Sequence, residues 1–345
     1  MDRADPLRGN PRLRATRARQ PAGLPSAARR PAGCAAPAGR SQREVTVELS
    51  EHQAEDYHQR YLTAQDGLKL AYREYGDTLA PGVPLLCLSG LTRQAGDFHN
   101  LACRLAHHGA QHGGTFGHRV LALDYRGRGR SAYDENWRNY RPEVYLGDIL
   151  DLAAAANLPR LVIVGTSLGG LLAMALALQR PTLLAGVILN DVGPEIAGGG
   201  FDRIAGYVGT PAPQDDWQAA ISYLRHLFSP AYPGLGEEAW LDMARNTFRP
   251  GNDGRLHLDY DLNLAKALKA SPPPPDLWPL FGALRNIPTL AIRGALSDLL
   301  SPATFDRMAA EKPDLERLTV PDRGQTPMLD EIECQEAIDA FLARL

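Results

Sequence analysis

The chain has 345 residues, 44% apolar and 22% charged, with a net charge of −3. These are values of a soluble globular protein, and the length suits one α/β core carrying an insertion. No apolar run approaches the roughly eighteen residues a membrane helix needs, which argues against a transmembrane segment.

Four cysteines, Cys34, Cys87, Cys103 and Cys334, are widely scattered without metal-ligand spacing. Cys87 lies in an apolar run that suits a buried free thiol, and a reducing cytoplasm is the expected location. Residues 1–43 carry ten arginines against Asp2 and Asp5, a local charge of +8 that leaves −11 on the rest. This Arg/Pro/Ala/Gly-rich stretch has no hydrophobic period and reads as a disordered extension. Arg29-Arg30 and the "PAGC" ending in Cys34 suggest export or lipidation signals, but both need an apolar h-region and none is present. A transit peptide or a nucleic-acid arm is open on charge alone. The extension is read as non-functional, with no nucleic acid or membrane among the partners.

From residue 60 the pattern is regular. "RYLTA" and "LKLAYREYG", separated by "QDG", predict an antiparallel hairpin. "LLCLSG" (85–90), "VLALDYRG" (120–127), "LVIVG" (161–165), "GVILND" (186–191), "TLAIRG" (289–294) and "LERLTV" (315–320) read as short buried strands. Helical patterns fall at 97–108, 142–157, 168–180, 302–311 and 331–344. Continuous apolar strands alternating with helices predict a mainly parallel sheet covered on both faces. About a hundred residues between the strands at 186–191 and 289–294 show no clear strand, but helical stretches near 214–228, 236–247 and 261–270, then "SPPPP" (271–275). A structureless loop of that length is implausible, so a helical cap inserted in the sheet domain is expected. The expected division is 58–194 with 285–345 as core and 195–284 as cap.

Gly165-Thr166-Ser167-Leu168-Gly169 is a G-x-S-x-G pattern entered from an apolar strand and left by an apolar helix. A sharp strand-to-helix turn would strain the serine backbone and project its hydroxyl above the sheet, with a helix N-terminus behind it. The lysine of a phosphate-binding loop is absent. Ser167 is the candidate nucleophile.

With these motifs, residues 60–345 resemble the α/β-hydrolase superfamily, and the overall pattern is similar to small bacterial ester and lactone hydrolases such as 3-oxoadipate enol-lactonases. "CLSGLTR" (87–93) resembles the family's oxyanion loop. The resemblance implies that the backbone N–H groups of Leu91 and Leu168 form the oxyanion hole, each donor typically worth ~3 kcal/mol. "DYRGRGRS" (124–131) looks like the family's turn after the fourth strand, so its arginines read as structural. A serine at the elbow, where dehalogenases and epoxide hydrolases carry aspartate, implies acyl transfer.

On this fold the acid and then the histidine follow the serine. The resemblance places the acid at Asp298 in "AIRGALSDLLSP", with Ser301 capping the next helix and Asp191 as second choice. The family's G-H-x-P-x-L-D-E loop reads here Gly324-Gln325-Thr326-Pro327-Met328-Leu329-Asp330-Glu331. Gln325 therefore stands at the position of the usual histidine, and no histidine occurs after His257. Imidazole accepts the hydroxyl proton and returns it to the leaving group; an amide cannot hold a proton at neutral pH. Loss of the base costs ~10⁶ in kcat in a serine protease, with 10³–10⁴ over water remaining.

Among other histidines, His99 is least distant by chain logic, and His226 and His257 belong to the cap. His107, His108, His112 and His118 are interrupted by Gly109, Gly113, Gly114 and Gly117, which reads as a surface loop without preset metal geometry. No metal or cofactor is expected. The reading is thus a serine-dependent hydrolase of a small ester, lactone or thioester, strongly impaired at the base. The alternative is an inactive member of the fold that binds a small ligand. Phe201, Tyr207, Trp217, Tyr223 and Trp240 are candidates to line the pocket or to pack the cap. The substrate is expected to be a small acyl compound, and the oligomeric state is not legible.

Overall fold

The computed structural model describes residues 56–107, 117–271 and 276–345, and of Gly198 and Phe201 only the backbone. The Arg-rich extension, Cys34, His108, His112 and the prolines of "SPPPP" lie outside the described residues.

Eight strands form one sheet: β1 (His58–Thr63), β2 (Lys69–Tyr75), β3 (Leu85–Leu88), β4 (Val120–Asp124), β5 (Leu161–Thr166), β6 (Leu184–Asn190), β9 (Thr289–Gly294) and β10 (Glu316–Val320). Their order is β1-β2-β4-β3-β5-β6-β9-β10. The β1–β2 hairpin and the β2–β4 pair are antiparallel; every other pairing is parallel. This is the mainly parallel sheet that the continuous apolar runs predict.

Strand pleating divides the apolar residues between two cores, because successive side chains face opposite ways. Leu86, Leu88, Leu161 and Ile163 face a cluster closed by α2 (Pro142–Ala155), α3 (Leu168–Gln179), α8 (Trp278–Gly282) and α9 (Pro302–Glu311). Leu85, Cys87, Val162 and Val164 face a second cluster closed by α1 (His99–His107) and α10 (Ile332–Leu342). Burial on both faces is what lets the central strands be apolar at every position. Cys87, Cys103 and Cys334 are free thiols.

Between β6 and β9 the chain forms α4 (Gly198–Tyr207), α5 (Trp217–Phe228), α6 (Glu237–Arg245) and α7 (Leu264–Ala270) before α8. The expectation of no strand here needs correction. Phe248–Pro250 and Leu256–Leu258 pair as a small antiparallel hairpin, β7–β8, too short to carry a periodic signal. Helix α4 was also not expected, since "GGGFDRIAGY" opens with three poor helix formers. The insertion has its own small core, in which Ile221, Leu224, Tyr232, Trp240, Met243 and Phe248 are buried with Trp217 packed against them.

Of the three arginines of the turn after β4, Arg126 and Arg128 are internal and Arg130 is exposed. Arg126 pairs with Asp148, Asp66 and Asp134, and Arg128 is fully buried among Tyr125, Tyr140 and Tyr145. They hold the fold together and present no basic face. Among the described residues no helix is long and apolar enough to cross a membrane.

Candidate active site

Ser167 sits between β5 and α3 with φ 51° and ψ −113°, a backbone conformation that L-residues rarely adopt. Two glycines make room for it. A Cβ on Gly165 would stand 2.6 Å from the backbone of Gly169, and one on Gly169 would stand 2.0 Å from the carbonyl oxygen of Leu88. The turn is closed by Ser167 N–H donating to the Asn190 carbonyl at 3.0 Å. Asn190 also donates through Nδ2 to the Pro327 carbonyl at 2.9 Å, so one buried side chain ties the serine turn to the loop that carries Gln325.

The loop after β3 lies against the serine: a Cβ on Gly90 would be 3.8 Å from Ser167 Cβ. Leu91 lines the cavity above Ser167, while Leu168 does not line it and its side chain packs on the core. Neither the Leu91 nor the Leu168 amide donates to another described residue. Arg128 fixes the loop from beneath, its Nε donating to the Leu91 carbonyl at 2.9 Å. The turn after β4 thus also positions the loop after β3, a role the sequence motif alone did not assign.

Gln325 lies beside Ser167, with Nε2 donating to Ser167 Oγ at 3.5 Å. Its Oε1 accepts from Arg203 Nη2 at 2.9 Å. Guanidinium groups only donate, so the amide oxygen must face Arg203 and the amide NH₂ must face the serine. Tyr232 holds the same loop: its hydroxyl accepts from Thr326 N at 2.9 Å and donates to Thr326 O at 3.0 Å.

Asp298 follows β9, and no hydrogen bond joins it directly to Gln325. Arg203 of α4 stands between them, with Nε to Asp298 Oδ2 at 2.8 Å and Nη2 to Oδ1 at 3.0 Å. The hydrogen bond to Asp298 raises the affinity of Arg203 for its proton, so the cation is permanent. Arg203 was missed because its helix opens on glycines; the apolar spacing Phe201, Ile204, Val208 was the available signal. Asp191, the second-choice acid, is fully buried, and its oxygens accept from Gly294 N at 2.9 Å and Ser297 Oγ at 2.8 Å. It braces the turn that presents Asp298. Burial pushes its pKa up to about 7, against these hydrogen bonds.

The cavity over Ser167 measures about 210 Å³. Tyr207, Tyr223, Phe228 and Met243 supply apolar surface, and Arg73, Arg93 and Arg245 line it with Arg203. Trp217 and Trp240 pack within the insertion instead. Its size suits a small molecule.

None of the other described candidate histidines bonds to Ser167. His99 lines the cavity, but its Nδ1 lies 3.2 Å from the Tyr75 hydroxyl, and burial, then Arg73, lowers its pKa. His226 is exposed, and His257 pairs with Asp253. His107 and His118 contact the carbonyls of Cys103 and Val83. Asp56, His99 and Cys103 bring three ligand-type atoms within 4.8 Å of one another. The Cys103 sulfur, however, is nearly equidistant from both ring nitrogens at 3.7 and 3.6 Å. Nearly equidistant from both, it is aimed along neither nitrogen's lone pair.

Comparison with known proteins bears on the family and the fold. The model of the alpha/beta hydrolase family matches residues 85–339. The chain is 34% identical over 268 residues to the 3-hydroxybutyrate-oligomer hydrolase of Cupriavidus necator, covering 75% of this chain and 87% of that protein. It is 26% identical over 255 residues to the 2-(acetamidomethylene)succinate hydrolase of Mesorhizobium japonicum, covering 74% and 84%. A crystal structure of an alpha/beta hydrolase from Novosphingobium aromaticivorans superimposes with a TM-score of 0.78 at 41% identity, over 84% of this chain and 99% of that one. From a family match that spans most of the described sheet and a strand–serine–helix turn built as that fold requires, the chain belongs to the alpha/beta hydrolase family.

Proposed function

We propose that this protein is built as a serine hydrolase of small carboxylic esters, lactones or thioesters whose turnover is strongly impaired at one position. Ser167 is the nucleophile, the amides of Leu91 and Leu168 receive the oxyanion, Asp298 is the acid, and Gln325 stands where a base is needed. Residues 195–284 act as a cap over a core of 58–194 and 285–345. The observation that carries the reading is the strained Ser167 turn opening into a cavity, flanked by the Leu91 and Leu168 amides, which donate to no described residue. Such strain persists only where the surrounding fold enforces it, and it clusters at functional sites.

The chemistry stops at a definite step. Attack forms the bond from Ser167 Oγ to the acyl carbon and requires the hydroxyl proton to leave. The group 3.5 Å away is an amide donor, which cannot take that proton. The alcohol or thiol leaving group then finds no proton source either. Substrate binding and oxyanion stabilisation remain, which favours slow turnover over none. The relatives act, by their descriptions, on 3-hydroxybutyrate oligomers and on 2-(acetamidomethylene)succinate. Short hydroxyacid esters are therefore the first substrates to try, and the cytoplasm is the proposed setting. A second reading, an inactive protein that holds a small ligand, is supported by the anchoring of the Gln325 amide between Arg203 and Ser167.

An esterase assay with p-nitrophenyl acetate separates the two. The unmodified chain should stay near background, Gln325→His should gain activity, and Gln325→His with Ser167→Ala should lose it again. No gain from Gln325→His, alone or combined with Arg203→Gln, with any short ester or lactone would overturn the hydrolase reading. Ordinary rates in the unmodified chain would mean that another group acts as base.

A further inference from the structure

Gln325 is not the sole departure from a working site. An imidazole acting as base must keep its near nitrogen unprotonated toward the serine, which requires an acceptor for the N–H on its far nitrogen. Here both oxygens of Asp298 are already taken, in a fork-on-fork pair, by Arg203. The far side of residue 325 meets Arg203 Nη2 at 2.9 Å, a donor where an acceptor is wanted.

We propose that Arg203 is a second lock on this site: it takes Asp298 away from residue 325, so an imidazole restored at 325 is only partly oriented until Arg203 is removed. This rests on the reading of Ser167, Asp298 and position 325 given above. Arg203 acts through Asp298 and residue 325 and is a positioning residue. The pair is partly exposed, with 35% of the Arg203 and 43% of the Asp298 side chain accessible, so releasing it should not unfold the protein.

The cation also has a signature that a merely structural residue lacks. A guanidinium beside an imidazole disfavours the imidazolium and lowers its pKa, whereas a released Asp298 raises it. The base works only when unprotonated. The acid limb of the pH–rate profile should therefore lie lower with Arg203 present and move upward when it is removed.

The test measures kcat, KM and the pH profile with p-nitrophenyl acetate for Gln325→His alone and combined with Arg203→Gln or Arg203→Lys, with thermal melting to confirm folding. A serine-protease base deprived of its orienting carboxylate loses ~10⁴ in kcat, so Arg203→Gln should raise the kcat of Gln325→His at least about tenfold. KM should change less than kcat, and the acid limb should shift upward. Arg203→Lys, which keeps the charge but cannot span both oxygens, should fall between. Arg203→Gln with Gln325 retained should stay at background, and a rise there would overturn the proposal. Equal kcat and an unmoved limb in the single and double variants would also overturn it while leaving the serine-hydrolase reading intact. If all the variants fold yet remain at background, that reading fails and the proposal fails with it.

Discussion

Gln325 directs an amide donor at the hydroxyl of Ser167 across 3.5 Å, because Arg203 occupies the amide's oxygen. The polarity is opposite to that of a base, and it makes a ranking of replacements possible. Gln325→Glu adds a carboxylate, which in principle accepts a proton. Beside Arg203 it would be held as an ion pair, its pKa depressed and its oxygens turned from the serine. Its rate with p-nitrophenyl acetate near pH 7 should stay within about threefold of background, well below Gln325→His. A carboxylate variant matching the imidazole variant would show that Arg203 does not pin residue 325.

Tyr232 ties the insertion to the 325 loop by two bonds of one hydroxyl, accepting from Thr326 N and donating to Thr326 O. Tyr232→Phe removes both and leaves a part-buried N–H without that partner, which costs up to about 1–3 kcal/mol. Urea denaturation should show that loss. In the Gln325→His background the same change should lower kcat more than it raises KM, since it loosens the base and not the cavity wall. A stability change below about 0.5 kcal/mol would mean that the hydroxyl is replaced by water.

The parts that the sequence discloses are those governed by local chemistry. The alternation of apolar strands and helices, the hairpin at the start, and the serine between Gly165 and Gly169 each depend on residues close together in the chain. Gln325 was visible because its neighbours from Gly324 to Glu331 keep the register. What stayed hidden depends on contacts across the chain. Arg203 reaches Asp298 over 95 positions, and nothing near it announces that it will meet a carboxylate. Arg128 was legible as part of a turn, but its grip on the Leu91 carbonyl follows only from the packing of β4 against β3. Asp191 was read as a spare acid from its place after a strand; its burial under the 294–297 turn gives it a different task. The small hairpin β7–β8 has three-residue strands, below the length at which a period of two can be recognised.

Close approach, more than turn flexibility, is what requires glycine at 169. A Cβ there would sit 2.0 Å from a carbonyl oxygen of β3, and backbone on both sides must move to admit it. Gly169→Ala should destabilise the protein by more than about 3 kcal/mol or prevent folding. Gly147 lies within α2 with nothing within 4 Å of a built Cβ. Gly147→Ala should stabilise by about 0.5–1 kcal/mol through helix propensity alone. Chemical denaturation of both variants checks the contrast, and a neutral Gly169→Ala would mean that α3 can slide away from β3.

Asp191 predicts a pH dependence of stability whose sign differs from that of an ion-paired carboxylate. Its folded pKa, pushed up by burial to about 7, lies above the unfolded value of 3.8. Between those values the folded chain binds the extra proton, so unfolding free energy falls as pH rises. The contribution is complete below about pH 4 and lost by about pH 7, on the order of 4 kcal/mol at most when each tenfold step is worth ~1.4 kcal/mol. Asp191→Asn keeps the size and a carbonyl acceptor for Gly294 N while removing the titration. The variant should gain on the unmodified chain as pH is raised from about 4 to 8, measured by urea denaturation at several pH values. Asp124, raised to about 6 by burial, changes stability in the same direction in both proteins, so the difference between them isolates Asp191. A difference that stays flat across the range would mean that Asp191 remains ionised, its charge held by Gly294 and Ser297 in spite of burial.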